Sequence, residues 1–169
     1  TRTKPATPDE ASSDMIRFQV HVKTKGGRTG SIEICCGYAG LTAALADAGL
    51  EAIGIDWKGN RHHPQVPIVT ADRTTDEGQE FVRNLVRQEH VMYVHLAPPC
   101  GTYTRAREIP IPKWKPEKYP DMPNPKPLRS TESPAGLPEE MSKTGATKVE
   151  KGNTITDFCS EIALYCIEN

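Results

Sequence analysis

Aromatic side chains are scarce in this chain of 169 residues, at 6% of the total. A surface that binds single-stranded nucleic acid through stacked rings needs more of them, so that kind of surface is not favoured. Apolar runs are also short, and none approaches the ~20 residues that a membrane-spanning helix requires. The chain starts at Thr1, without Met and without a basic-then-apolar leader. We therefore expect no membrane span, no secretory signal and a segment of a longer protein.

The five cysteines do not form a recognisable disulfide framework, because their number is odd and no CxxC pair occurs. They predict reduced thiols in an intracellular protein, nuclear or cytoplasmic. The net charge is −1, but residues 1–28 carry six basic against three acidic side chains, and residues 105–153 carry ten against seven. These basic segments are compatible with a polyanionic partner, although solvated loops are the simpler explanation.

Proline divides the chain, since eleven of its 15 prolines lie between Pro98 and Pro138. Proline lacks the backbone N–H and fixes φ, which excludes a helix or a central strand there. We predict a long, mobile, irregular loop over residues 105–153, which we call the proline-rich excursion. It would separate a core at residues 29–104 from a final helix at residues 154–169. Residues 1–28 would form an N-terminal flank with a possible edge strand, because apolar and polar residues alternate from Ile16 to Val22.

Strand and helix patterns alternate through the core. The alanine-rich run at 41–48 and the amphipathic run at 76–88 predict helices. Short apolar runs predict strands at residues 31–36, 51–56, 68–72 and 91–97. This order implies right-handed crossovers and a Rossmann-like, doubly wound, mostly parallel sheet of the α/β class. Ligands of such sheets bind beyond the carboxyl ends of the strands.

Polar residues follow the predicted strands at those ends. The turn from Cys36 to Gly40 contains small residues that would let a ligand approach the backbone, although its spacing is not the GxGxxG of dinucleotide sites. At the end of the second strand, Asp56 could accept hydrogen bonds from ribose hydroxyls, and Trp57 could lie against an adenine. Asp72 could accept from an exocyclic amine. A structural tryptophan and a turn cap formed by Asp72 remain open alternatives.

Cys100 carries the strongest functional signal. Pro98 and Pro99 restrict the backbone before it, and it lies where a predicted strand ends. A structural cysteine is usually buried inside an element, so this position favours a nucleophile. A cysteine attacks as the thiolate and needs positive charge nearby, which Arg105 and Arg107 could supply.

Four segments, in their order and approximate spacing, resemble the DNA cytosine-5 methyltransferases. The first family motif, an acid followed by Leu-Phe-Cys-Gly-x-Gly-Gly, is matched by Glu33 to Gly40. The second, an acid often followed by an aromatic residue, is matched by Asp56-Trp57, and the third, an Asp, by Asp72. The fourth, Pro-Cys-Gln-x-Phe-Ser, is matched by Pro99 to Thr104. The resemblance covers residues 31–104 well and the final helix loosely.

The resemblance implies a class I methyltransferase fold, S-adenosylmethionine as the cofactor, and nucleic acid, most simply DNA, as the partner. Asp56 would bind the ribose, and Trp57 and Asp72 would contact the adenine. Cys100 would attack C6 of a cytosine taken out of the duplex, so that C5 accepts the methyl group. The implied cofactor site comprises Glu33, Cys36, Gly37, Tyr38, Ala39, Gly40, Asp56, Trp57, Asp72 and Pro98.

The chain departs from the family at several places. Ala39 and Gly101 stand where the family has a glycine and a glutamine. The family's Glu-Asn-Val motif, whose glutamate contacts N3 of the cytosine, lies on a fifth strand, whereas Glu168-Asn169 is expected to be the tail of the last helix. The later family motifs are absent. The chain therefore matches the first half of a catalytic domain, whose remainder could follow Asn169, and we expect it to be inactive in isolation.

Two other functions stay open. The chain could be a non-catalytic module that binds adenosylmethionine or nucleic acid within a larger protein. It could also belong to a methyltransferase of another substrate class, because Gly101 breaks the usual signature. No metal site is expected, since neighbouring strand residues such as Cys35 and Cys36 point to opposite faces.

Overall fold

The computed structural model describes residues 30–104, 107, 109–110, 124, 126–137 and 141–169. The predicted flank at residues 1–28, with its possible edge strand, lies outside the described residues, and so does Arg105. The described elements, in chain order, are β1 (Gly30–Ile34), α1 (Gly40–Asp47), β2 (Glu51–Asp56), β3 (Val69–Thr70), α2 (Asp76–Val86), β4 (Val91–Leu96) and α3 (Lys143–Glu168).

The four strands form one parallel sheet in the order β3-β2-β1-β4. β1 lies at its centre, where Ile34 pairs with Ile55 of β2 and with Leu96 of β4. All five residues of β1 are buried, as expected for a parallel strand that is covered on both faces. From β1 the chain adds β2 and β3 on one side of the sheet and then crosses to place β4 on the other side of β1, so the direction of strand addition reverses between β1 and β4. The predicted α/β class with a parallel sheet is therefore confirmed.

Helices cover both faces of this sheet. On one face, Ile34 belongs to an apolar cluster that includes Val82 of α2 and Phe158 of α3. On the other face, Glu33 bonds to Thr42 of α1. Successive side chains of a strand point to opposite faces, so α1 lies on one side of the sheet and α2 and α3 lie on the other.

Most of the predicted core elements occur close to their expected bounds. β1, β2, β4, α1 and α2 are all present. The third strand was predicted over residues 68–72 but contains only Val69–Thr70. It ends early because the Asp72 side chain accepts hydrogen bonds from the amide and hydroxyl of Thr74, which turns the chain away from the sheet.

The predicted start of the last helix at residue 154 was wrong, because α3 begins at Lys143. Residues 143–153 therefore belong to the helix and not to the excursion. Gly145 and Gly152 suggested a loop, since glycine is a poor helix former. Both are buried where another segment approaches α3. A Cβ at Gly145 would lie 3.2 Å from Cδ2 of Leu128, and one at Gly152 would lie 3.1 Å from Oγ1 of Thr102.

The excursion packs against α3 in its described part. Residues 126–137 form neither helix nor strand, which agrees with the predicted irregular structure. Leu128 and Arg129 are nevertheless only 6% and 9% exposed. This segment therefore contributes to the packing around α3.

Candidate functional site

The predicted site residues lie along the carboxyl edge of the sheet. The turn from Cys36 to Gly40 follows β1, Asp56 ends β2, and Cys100 comes shortly after β4. β2 and β4 both pair with β1. Neighbouring strands are about 4.8 Å apart, so the strands that carry Asp56 and Cys100 are separated by about 10 Å. The structure thus places the predicted acid and the predicted nucleophile at the same edge.

Asp56 links the glycine-containing turn to the end of β2. Its Oδ2 accepts a hydrogen bond of 2.7 Å from the Gly37 amide. Its Oδ1 accepts from the Trp57 amide at 2.8 Å and from Nη2 of Arg73 at 3.0 Å. The residue is only 6% exposed. Since a carboxylate offers about four lone-pair positions, these three bonds leave one acceptor position.

Arg73 is the partner that the sequence analysis missed. Its side chain is 3% exposed, and its Nη1 donates to the Ala71 carbonyl at 2.8 Å. Its buried Nε makes no hydrogen bond to any residue that the structure describes. In the sequence, Arg73 follows an exposed aspartate and resembles an ordinary surface charge. Only the turn after β3 places its guanidinium beneath the end of β2.

Glu33 occupies the N-terminus of α1. Its Oε2 accepts from the Thr42 amide at 2.8 Å and from the Thr42 hydroxyl at 2.5 Å. Ala39, the residue before the helix, has a left-handed backbone (φ 56°) and provides no side-chain cap. A helix N-terminus carries partial positive charge, so the buried Glu33 carboxylate both caps α1 and neutralises this end.

The turn consequently lies in a negative electrostatic field. Burial, followed by the nearby charges of Asp56 and Glu33, raises the pKa of the Cys36 thiol to about 12. The Arg73 guanidinium opposes them more weakly. With two carboxylates against one guanidinium, the charge around this turn favours a cationic group.

Cys35 and Cys159 form a pair of thiols on the apolar face of the sheet. The hydrogen bond from Cys159 lowers the pKa of Cys35, and the positive charge of Arg73 lowers it too, against the opposing effect of burial. The same hydrogen bond and burial raise the pKa of Cys159. No group of three or more His, Cys, Asp or Glu that could hold a metal ion occurs in the part of the chain that the structure describes.

Two aromatic rings border the site. Tyr38 is 53% exposed and Trp57 is 48% exposed. The Trp57 ring lies over Gly59, where an added Cβ would collide with the ring. Nδ2 of Asn60 donates to the Gly37 carbonyl at 2.7 Å, which joins the loop after Trp57 to the turn after β1. The indole therefore lies against the loop at Gly59 and remains accessible.

Asp72 is exposed and caps a turn. Its Oδ1 accepts from the amide and the hydroxyl of Thr74, at 3.0 and 2.7 Å. These bonds lower its pKa, so the carboxylate stays ionised at neutral pH. The alternative in which Asp72 caps the turn is thus what the hydrogen bonds support. Among the described residues, Oδ2 has no hydrogen-bond partner.

Cys100 is exposed beyond the end of β4. The ladder to β1 continues through the Ala97 amide, which donates to Ile34 at 3.1 Å, and the chain then leaves it at Pro98, which is half-buried. The Cys100 carbonyl accepts from the amides of Tyr103 and Thr104, at 2.9 and 3.0 Å. The thiol is therefore presented by a short turn at the carboxyl edge.

Arg107, one of the two arginines predicted to assist Cys100, is engaged elsewhere. Its Nε donates to the Lys126 carbonyl at 3.1 Å. Arg129, which the sequence analysis did not single out, contacts the residues that follow Cys100: its Nε and Nη2 donate to Oγ1 of Thr102 at 3.2 and 3.1 Å. Arg129 is 27 residues from Thr102 in the sequence, so no local pattern indicated this contact.

A cavity of about 350 Å³ lies at the opposite edge of the sheet. It is lined by the residues at which β1, β2 and β4 begin, together with His90. It contains none of the predicted site residues. The predicted site is instead an open rim on the carboxyl edge.

No family model, no curated protein and no solved structure matches this chain. Within the described residues, no helix combines the length and the apolar character needed to cross a membrane.

Proposed function

We propose that the carboxyl edge of the sheet binds S-adenosylmethionine and that Cys100 is the nucleophile for methyl transfer to C5 of a cytosine in nucleic acid. The fold would be of the class I methyltransferase type, and the chain would supply the half that holds the cofactor and the nucleophile. The strand order β3-β2-β1-β4 supports this type, because it reverses beside β1.

The observation that carries the cofactor proposal is the pair of buried carboxylates at the turn after β1. A phosphate-binding turn leaves the helix N-terminus free for an anion. Here Glu33 already occupies the N-terminus of α1, and Asp56 bonds to Gly37. The local charge therefore disfavours a pyrophosphate and favours a ligand with an ammonium and a sulfonium group. An adenosine with a positively charged donor end fits these requirements.

The remaining contacts are assigned by position. Trp57 offers an accessible ring to the adenine. Asp72 keeps Oδ2 for an amine, and Asp56 keeps one acceptor position for a ribose hydroxyl. Tyr38, within the turn after β1, and Pro98, after β4, would border the site. When bound, adenosylmethionine supplies an electrophilic methyl group.

Cys100 would carry the covalent chemistry. Its thiolate adds to C6 of the cytosine, which makes C5 nucleophilic enough to accept the methyl group. Loss of the C5 proton then expels the thiolate and restores the ring. The base must leave the duplex to reach this thiol, and the exposure of Cys100 on a turn allows such an approach.

A second function is favoured by one specific observation. Glu168 ends α3 instead of lying on a strand, as the sequence predicted. This placement favours a non-catalytic module that binds adenosylmethionine without methylating. Both functions include binding of adenosylmethionine, but only the first includes covalent attack by Cys100.

Calorimetry tests the cofactor half of the proposal. Adenosylmethionine should bind the wild-type chain, and Trp57→Ala should weaken binding about tenfold, which corresponds to the loss of one stacking contact of about 1.4 kcal/mol. Tyr93→Ala is the matched control, because Tyr93 is equally exposed on β4 but lies away from the carboxyl edge. Equal losses in both variants, or no binding by folded wild type, would refute the site.

Covalent capture tests the nucleophile. In the full-length protein, of which this chain would supply the first half of the catalytic domain, a 5-fluorocytosine oligonucleotide should form an adduct in the presence of adenosylmethionine, and Cys100→Ser should abolish it. Cys166→Ser is the control, because Cys166 is the other exposed cysteine and should be dispensable. Cofactor binding without any adduct would favour the non-catalytic module.

A further inference from the structure

Arg129 is a buried guanidinium with every donor in use. Its Nη1 donates to the Pro134 carbonyl at 2.5 Å and to Oδ1 of Asn153 at 2.7 Å. Its Nη2 donates to the Val149 carbonyl at 3.2 Å. With the bonds from Nε and Nη2 to Thr102, these contacts account for the five N–H groups of an arginine. The side chain thus joins the excursion, α3 and the turn after Cys100.

The same guanidinium stacks on the aromatic ring that follows Thr102. Its central carbon lies 3.7 Å from the centre of the Tyr103 ring, within the range of a cation–π contact. The Tyr103 hydroxyl lies 3.3 Å from Oδ1 of Asn153 and 3.2 Å from Oγ1 of Thr156. Both residues that follow Cys100-Gly101 are therefore fixed to α3. We call Arg129, Thr102, Tyr103 and Asn153 the Arg129 clamp.

The clamp depends on a small residue in α3. A Cβ at Gly152 would lie 3.1 Å from Oγ1 of Thr102 and 3.2 Å from Nη2 of Arg129. A glycine inside a helix costs up to about 1 kcal/mol relative to alanine. The close approach of Thr102 and Arg129 accounts for a glycine at this position of α3, because a larger residue would crowd both side chains. Among the described residues, by contrast, none lies within 4 Å of a Cβ added at Gly101.

We propose that Arg129 is a positioning residue for Cys100. Two prolines hold the backbone before the thiol, and the clamp holds it after Gly101, so that the thiol is presented in one orientation at the carboxyl edge. Its hydrogen-bond partners in the described residues are all neutral, so the planar fork of donors, and not a charge pair, defines the clamp. This proposal rests on the proposed function, since orientation matters only if Cys100 reacts.

Hydrogen exchange measures the clamp independently of catalysis. The amides of Tyr103 and Thr104 bond to the Cys100 carbonyl and should be protected in wild type. Arg129→Met should accelerate their exchange at least tenfold while the amides of β1 stay protected. Arg107→Met is the matched control, because that arginine is held by an exposed contact to Lys126. If Arg129→Met disturbs folding, Thr102→Val removes the acceptor of two clamp bonds and should accelerate exchange in the same direction.

Function is measured on the same variants of the full-length protein. Arg129→Met should slow capture of the 5-fluorocytosine oligonucleotide at least tenfold and leave the adenosylmethionine Kd within twofold, and Arg129→Lys should not restore the rate. Restoration by lysine, or unchanged exchange at Tyr103 and Thr104, would overturn the proposal. If wild type binds no oligonucleotide covalently, the proposed function fails, whereas the exchange rates still decide whether Arg129 fixes the turn.

Discussion

Arg73→Met is expected to destabilise the fold by about 3 kcal/mol. The substitution removes the partner of Asp56 from a pair whose side chains are 3% and 9% exposed, with a distance of 3.0 Å between Nη2 and Oδ1. Breaking a buried ion pair by removing one member costs about 3–5 kcal/mol. The lower value applies here because Asp56 keeps its bonds to the Gly37 and Trp57 amides. Urea unfolding at pH 7 measures the change.

A double-mutant cycle tests the cause of this loss. With Asp56→Asn in the same chain, Arg73→Met leaves no uncompensated charge. The stability lost in the double variant should therefore be smaller, by at least about 1 kcal/mol, than the sum of the losses in the two single variants. The control is Arg83→Met, which breaks a partly exposed pair with Glu161 at a similar distance of 2.7 Å and should cost about 1 kcal/mol or less. Strict additivity of Arg73→Met and Asp56→Asn, or an equal loss in Arg83→Met, would refute the reasoning.

Two further changes probe the packing and the electrostatics. The raised pKa of Cys36 means that the unfolded chain loses this proton first, so stability should fall as pH rises from about 9 to about 12. In Cys36→Ala, the free energy of unfolding, measured by denaturation at several pH values, should fall less over this range. An unchanged dependence on pH would contradict the assignment of the raised pKa to Cys36. Leu128→Ala should lower the free energy of unfolding by about 2–5 kcal/mol, because this residue of the excursion is 6% exposed. Ile109→Ala, at a residue that is 65% exposed, should change it by less than about 0.5 kcal/mol, and similar values for both would show that the excursion does not pack on α3.

The central part of the fold could be predicted because its signals are local. β1 is a short apolar run followed by a turn, and α2 shows an apolar face with Asp76 and Glu77 in its first turn. Parallel pairing of such strands brings their carboxyl ends together whatever their exact lengths. The convergence of Asp56 and Cys100 at one edge therefore followed from the order of the elements alone.

The features that the sequence did not predict depend on contacts between segments that are distant along the chain. Gly145 and Gly152 look unfavourable for a helix, and only the approach of Leu128 and Thr102 explains them. Arg129 is 27 residues from Thr102, so no local pattern connects them. The ion pair between Arg73 and Asp56 has the same origin. Sequence periodicity describes which face of an element is apolar, but it does not identify the partner of a buried charge.

The charge preference of the turn after β1 is the central claim, and a paired titration tests it most directly. Adenosylmethionine and ADP share the adenosine but carry opposite net charges at the end that would lie at the turn after β1. Calorimetry on wild-type protein should show binding of adenosylmethionine and at least tenfold weaker binding of ADP. Tighter binding of ADP, or no binding of adenosylmethionine by the folded chain, would contradict the claim.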